Sequence, residues 1–347
     1  MTKKLKVMTV VGTRPEIIRL ARVIPALDKY CDHILVHTGQ NYDYELNQIF
    51  FKDLEIDAPE YHFNINGKSH GQMTGEMLSS IEEVLIKERP NACLVYGDTN
   101  STLAGALAAS KLHIPVIHVE AGLRSFNKLM PEEINRILTD HLSDYLFCST
   151  EMAVKNLLNE NIKNNVFEVG DIMYDAVLFT RSKSQNIKSI QGVNLEIGNL
   201  AACTIHRAEN TDNKKTMIEI IDYLNSYSDK YNIILPLHPR TKNSLEMFNL
   251  SFGNVTTIDP IGYMEMQALL SASDLVFTDS GGLQKEAYFH GVKCVTIRNE
   301  TEWIELIDNG WNRLWKERDY LDEQPIHEYG DGTTGAKILK CLEKSLL

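Results

Sequence analysis

Thr278-Asp279-Ser280-Gly281-Gly282-Leu283-Gln284-Lys285-Glu286 joins an apolar run, residues 275–277, to residues 287–290, which continue as a helix. A short apolar run bounded by such a turn reads as a buried strand. Ser280, Gly281 and Gly282 then fall where a strand ends and a helix begins. Backbone N–H groups at a helix start lack intrahelical partners and point outward, which suits phosphate. Glycine lets the backbone come close to the anion. Glu286 lies about one turn further in, where a carboxylate can accept both hydroxyls of a ribose. The joint reading is a nucleotide diphosphate site. The blander reading is a Gly-containing loop that starts a helix, and Ser-Gly-Gly alone does not exclude it.

The same strand-turn-helix rhythm runs outward in both directions. Apolar strands are expected at residues 5–11, 34–38, 92–96, 116–119 and 145–148, with helices at 15–27, 71–87, 101–112 and 132–141. A second set of strands follows at 200–205, 233–237, 255–258, 275–278 and 294–297. The alternation predicts an α/β fold of two Rossmann-like, doubly wound parallel-sheet domains. The first spans residues 1–169 and the second 170–333, with a polar surface stretch at 181–194 just inside the second. Strand carboxyl ends around a central cleft are the expected ligand position.

A chain of 347 residues suits two domains better than one, and a hydrophobic fraction of 43% allows sizeable cores. A net charge of −12 argues against a general nucleic-acid surface. A polyanionic substrate would need a local basic pocket in an acidic shell. Cys93, Cys148, Cys203 and Cys294 lie in or beside apolar runs, and no pair has metal or redox spacing. They read as reduced, buried small hydrophobes of a cytosolic protein. Met1-Thr2-Lys3-Lys4 leads straight into a strand without the apolar run of a signal peptide, and no segment reads as a membrane span. A cytoplasmic protein with no membrane or nucleic-acid partner is expected.

Strand ends carry the charged groups. The first ends Gly12-Thr13-Arg14-Pro15-Glu16, where Pro15 fits a first helical turn. Arg14 is then held at the cleft edge, suited to a phosphate oxygen, with Arg19 about one helical turn on; a surface arginine is the alternative for each. Gly97-Asp98-Thr99-Asn100-Ser101 follows the 92–96 strand, and taken alone Asp98 reads as a helix cap. Glu120, in His118-Val119-Glu120-Ala121-Gly122-Leu123-Arg124, ends another strand at the cleft. Glu132 and Arg136 open a helix four residues apart, sharing a face; an exposed ion pair would suit Glu133 better. His206-Arg207 and His238-Pro239-Arg240 each put a histidine and an arginine directly after a strand, which favours anion handling by His206, His238 and Arg240. His113, His141 and His290 receive no role. No Cys/His/Asp cluster has ligand spacing, so no metal site is expected.

These pieces together resemble the non-hydrolysing UDP-N-acetylglucosamine 2-epimerase family. The carrying motifs are GTRPE at 12–16, GDTNST at 97–102, HVEAGLRS at 118–125, PEEINR at 131–136, HRAEN at 206–210, HPRT at 238–241 and DSGGLQKEA at 279–287. The resemblance implies a fold of the glycosyltransferase-B type, with residues 334–347 forming a helix that packs back on the first domain. It also implies a homodimer, a UDP-sugar substrate and no cofactor. Asp98, Glu120 and Glu132 would be the acid/base carboxylates, with His206 assisting. Arg14, Arg136, Ser280, Gly281 and Gly282 would hold phosphate, Glu286 the ribose, and Tyr263 to Met266 the uracil.

Three departures from the family pattern bear on substrate and regulation. Arg19 stands where the family has lysine. Asn41 replaces the histidine of a Gln-His pair that belongs to an allosteric site in many members. Trp303, in Thr301-Glu302-Trp303-Ile304-Glu305, replaces a cleft arginine. With Lys285 and Gly310-Trp311-Asn312, Trp303 resembles the branch acting on UDP-2,3-diacetamido-2,3-dideoxy-glucuronate. Lys285 would meet the uronate carboxylate, or else face solvent. The competing readings are a hydrolysing 2-epimerase, a glycosyltransferase of the same fold and a UDP-sugar-binding regulator. Neither of the last two has a use for three carboxylates.

Overall fold

The computed structural model of the chain describes residues 5–40 and 51–346; Met1 to Lys4 and the Asn41 position lie outside them. The chain forms two compact units. One contains the residues up to Ala176 and those from His327 on, the other Val177–Ile326.

The first unit holds seven parallel strands, β1 (Leu5–Val11), β2 (Cys31–His37), β3 (Tyr61–His62), β4 (Ala92–Tyr96), β5 (Val116–Ala121), β6 (Tyr145–Cys148) and β7 (Val166–Glu168), in the order β3-β2-β1-β4-β5-β6-β7. β1 lies inside the sheet, with Val10 opposite Val36 on one side and Val95 on the other. Val7, Met8, Val10 and Val11 are all fully buried, as expected for a parallel strand covered on both faces. The strand order reverses between β1 and β4, which makes their carboxyl ends the switch point where ligands bind in such sheets. β2 starts at Cys31 rather than at residue 34. β3 and β7 were not expected, because edge strands of two and three residues carry no readable alternation.

The second unit contains the hairpin β8 (Ser189–Ile190) and β9 (Val193–Asn194) within the expected polar stretch. Its main sheet comprises β10 (Leu200–Thr204), β11 (Asn232–Pro236), β12 (Thr256–Ile258), β13 (Leu275–Thr278), β14 (Lys293–Thr296) and β15 (Asn312–Leu314). The order β12-β11-β10-β13-β14-β15 puts a second switch point between β10 and β13. Alternate residues of these strands serve two cores. Ala201, Cys203 and Phe277 pack with the helix Lys214–Asn225 on one face. Leu200, Ala202 and Val276 pack with Leu269, Leu283 and Ala287 on the other.

The borders between units differ from those expected at residues 170 and 334. The change falls inside the helix Ile172–Ser184 and again after Ile326. Hydrogen bonds explain the shift. Asp171 N–H donates to Tyr329 O at 3.0 Å, and Asp175 accepts from the N–H groups of Thr334 (3.1 Å) and Gly335 (2.8 Å). These tie both segments to the first unit. There the helix Thr334–Leu346 lies against the helix Arg14–Tyr30. Among the described residues no helix is long and apolar enough to cross a membrane.

Candidate active site

At the first switch point one buried carboxylate joins two loops. Glu16 accepts from the N–H groups of Gly12 and Thr13 at 2.8 Å each and from the Thr99 hydroxyl at 2.7 Å. Burial raises its pKa, against the pull of these donors. The turn after β1 is thereby fixed to the turn after β4. Arg14 opens the helix Arg14–Tyr30 and is half-buried.

Arg19, read as a substrate-binding or else a surface arginine, is buried against Glu120, with Nη2 2.6 Å from Oε2 and both side chains buried. Burial disfavours the guanidinium charge, but Glu120, Asp98, Glu16 and Asp171 outweigh it and hold Arg19 as a cation. The close approach depends on Gly97. Its φ is 62°, and a Cβ there would lie 2.7 Å from Arg19 Nη1. Glu120 itself has φ 72° and sits where the β5–β6 register slips between Val119 and Ala121. A side-chain-bearing residue in this region costs about 1 kcal/mol. The slip turns Glu120 toward Arg19 instead of continuing the strand's alternation.

Asp98 is not the helix cap. Thr99 is, accepting from Thr102 N–H. Asp98 pairs with Arg136, and its side chain keeps 29% exposure. Asn135 Nδ2 donates to Asp98 O at 3.0 Å. The exposed ion pair weighed as the alternative for Glu133 does not form. Glu133 is fully buried, lies 2.8 Å from Arg136 Nη1 and accepts from the N–H groups of Ser125 and Phe126 at 2.9 Å each. Glu132, one residue earlier in the helix Pro131–Leu142, is exposed. Beneath this group His118 bridges Asp140 Oδ1 and Gly97 O at 2.7 Å each. Asp140 also accepts from Arg124 at 2.7 Å and Gly122 N–H at 3.1 Å. Despite burial, His118 and Arg124 lower the pKa of Asp140.

At the second switch point Ser280 caps the helix Gly281–Phe289. A Cβ on Gly282 would meet nothing within 4 Å, whereas one on Gly281 would lie 2.5 Å from Glu302 Oε1. A side chain at 281 would therefore have to displace the Glu302 carboxylate, while Gly282 leaves the helix start open. Glu302 is bound by Arg298 at 2.8 Å. Burial opposes its charge, but Arg298 and Arg207 lower its pKa. Lys285 does not face solvent. It is 0% exposed, with Nζ 3.9 Å from the centre of the Trp303 ring, a cation–π contact. Trp303 is buried, and its Nε1–H has no hydrogen-bond acceptor among the described residues.

Glu286 is buried beside Tyr263, whose pKa is driven well above its ordinary value by burial and then by the Glu286 charge. Met266 packs on the core of the second unit. His206 lies 3.0 Å from buried Asp279 through Nδ1, and its ring is 5.5 Å from that of His238. His238 caps the helix Pro239–Phe248, accepting from Arg240 N–H at 3.2 Å. Arg240, expected to handle an anion, is exposed and paired with Asp212 at 3.0 Å.

The family model described as UDP-N-acetylglucosamine 2-epimerase matches residues 26–343. The chain is 47% identical to the UDP-N-acetylglucosamine 2-epimerase homolog of Methanococcus maripaludis, over 97% of this chain and 99% of that one. It is equally 47% identical to the UDP-2,3-diacetamido-2,3-dideoxy-D-glucuronate 2-epimerase of Pseudomonas aeruginosa, over 98% and 100%.

The chain belongs to the UDP-N-acetylglucosamine 2-epimerase family.

Solved structures agree with this family membership. The Methanocaldococcus jannaschii UDP-GlcNAc 2-epimerase, crystallised with UDP-GlcNAc and UDP, superposes with a TM-score of 0.87 at 40% identity, covering 98% of this chain and 100% of that one. The Neisseria meningitidis UDP-GlcNAc 2-epimerase bound to UDP-GlcNAc also gives 0.87, at 30% identity, over 98% and 100%. The fold of this epimerase-family chain is accordingly α/β of the glycosyltransferase-B type. Sequence reading gave no role in the site to Glu16, Glu133, Asn135, Asp279 and Glu302. All five stand inside the quoted motifs or beside a named residue. Their burial and long-range partners were the missing information.

Proposed function

We propose that this epimerase-family protein inverts carbon 2 of a UDP-linked 2-acetamido sugar without hydrolysing it. The observation that carries the reading is chemical division of labour. The first switch point holds Asp98 and Glu120 against Arg136 and Arg19. The second holds an open helix start, Ser280 to Gly282, followed by Glu286.

The hydrogen on carbon 2 is not acidified by a carbonyl, so direct removal would leave an unstabilised carbanion. Anti elimination avoids this. A base takes the proton, its electron pair forms the carbon 1–carbon 2 double bond, and UDP leaves with the carbon 1–oxygen pair. Return of a proton on the other face and re-addition of UDP complete the inversion. Asp98, Glu120 and Glu132 are the proton carriers in this reading, with His206 assisting. Arg14, Arg136 and the N–H groups of the helix start receive the diphosphate, and Glu286 the ribose. The buried Lys285–Trp303 pair favours UDP-2,3-diacetamido-2,3-dideoxy-glucuronate over UDP-N-acetylglucosamine. The product would supply a surface polysaccharide, made by a cytoplasmic homodimer.

Proton NMR in deuterated water tests the reading. Deuterium should enter carbon 2 of both epimers during turnover. Retention of the original hydrogen, or release of free sugar with UDP, overturns it. Higher catalytic efficiency on UDP-N-acetylglucosamine overturns the uronate preference alone. Sedimentation velocity tests the dimer.

A further inference from the structure

We propose that Asp279 is a positioning residue for His206, holding the hydrogen of the ring on Nδ1 and leaving Nε2 as the proton-exchanging atom. The inference rests on the epimerase reading, in which His206 assists proton transfer.

The geometry is over-determined. Asp279 is fully buried, and its carboxylate accepts from the N–H of His206 at 2.9 Å, the N–H of Arg207 at 2.9 Å and Asn210 Nδ2 at 3.0 Å. Asn210 Nδ2 also lies 3.0 Å from Ile297 O, beyond the end of β14. The carboxylate is therefore fixed from β13, from the turn after β10 and from the turn after β14. His206 Nδ1 stands 3.0 Å from Oδ1 of this group. An ionised carboxylate only accepts, so Nδ1 must donate. Burial works against ionisation of Asp279, but the His206 ring and the backbone N–H groups overcome it and bring its pKa down to about 2.

The consequence is chemical. Nε2 of the neutral ring carries a lone pair at the end away from Asp279. When it accepts a proton, the electron pair of the broken bond stays with the donor, and the ring becomes a cation facing the buried carboxylate. Returning the proton restores the neutral Nδ1–H form. Asp279 also directly precedes Ser280, the cap of the open helix start. One turn thus fixes the histidine relative to the candidate anion site. An asparagine at 279 would offer an N–H toward Nδ1 and favour the opposite tautomer.

The test uses full-length wild type, Asp279→Asn, His206→Gln and the double variant. Turnover and KM for UDP-2,3-diacetamido-2,3-dideoxy-glucuronate and for UDP-N-acetylglucosamine, and UDP affinity, are measured for each. Asp279→Asn should lower kcat by roughly 100-fold or more, the scale of lost acid–base catalysis, with UDP affinity within about 3-fold of wild type. In the His206→Gln background the same change should cost less than about 3-fold, because its effect passes through the histidine. Equal cost in both backgrounds, or near-normal turnover of Asp279→Asn, overturns the proposal.

Nitrogen-15 NMR of histidine-labelled wild type gives a readout independent of turnover and of whether the variants fold. In its neutral form His206 should show a protonated Nδ1 and a bare Nε2, and the reverse overturns the assignment. A wild type that keeps this tautomer yet forms no 2-epimer overturns the functional reading while leaving the Asp279–His206 pair intact.

Discussion

Glu132 and Glu133 follow Pro131 in the first turn of one helix, yet only the second is buried. Glu133 neutralises Arg136 and accepts two backbone N–H groups of the 125–126 loop. Removing one partner of a buried pair costs about 3 kcal/mol or more. Glu133→Gln should therefore lower the urea-unfolding free energy by about that much. Glu132→Gln should leave stability within about 0.5 kcal/mol while cutting turnover roughly 100-fold with UDP affinity kept. Equal loss of stability in both variants would show that the two carboxylates are not divided between structure and chemistry. Glu120→Gln removes a group that is at once the partner of Arg19 and a proposed proton carrier. It should lower both stability and turnover, so the pair Glu132 and Glu133 is the cleaner comparison.

The elements that present these groups end abruptly, and their ends explain which parts of the site are legible in sequence. β4 runs into Gly97 in the left-handed region, and the close pass of Arg19 leaves no room for a Cβ. Gly97→Ala should cost about 1–2 kcal/mol, lower the melting temperature and reduce turnover by displacing Arg19 from Glu120. Unchanged melting temperature would mean the turn relaxes freely. That Gly97, Glu120, His206 and Ser280 stand at strand ends was readable, because apolar strand runs stop at polar residues. Their partners were not readable. Arg19 meets Glu120 only because β1 and β4 are neighbours and the β5–β6 register slips, and no local pattern encodes either fact. Asp98 and Thr99 are both good capping residues, so the cap could not be assigned before the Asp98–Arg136 pair was seen. β3, β7 and β15 are too short for a period to register.

At the scale of the whole molecule, each unit carries a buried histidine that folding keeps neutral well below the ordinary histidine range. His37 in the first unit has its pKa lowered to about 4, by burial and then by His62. His290 in the second is lowered to about 4, by burial and then by Arg181. Unfolded histidine titrates near 6.5. Between those values the unfolded chain binds more protons than the folded one. The stabilising contribution is therefore complete above about pH 6.5 and is lost as pH falls toward about 4. Each histidine adds a slope of up to about 1.4 kcal/mol per pH unit in that window. Glu16 and Asp175, whose pKa values burial raises, act in the opposite sense. A difference between variants is therefore needed to isolate one histidine. All three tryptophans, Trp303, Trp311 and Trp315, belong to the second unit, so tryptophan emission reports its unfolding. Urea titrations followed this way at pH 7, 6 and 5 should show stability falling less steeply with acid in His290→Gln than in wild type. His37→Gln, in the other unit, should leave the slope of that signal unchanged. Parallel curves for wild type and His290→Gln would mean that His290 is not kept neutral by the fold.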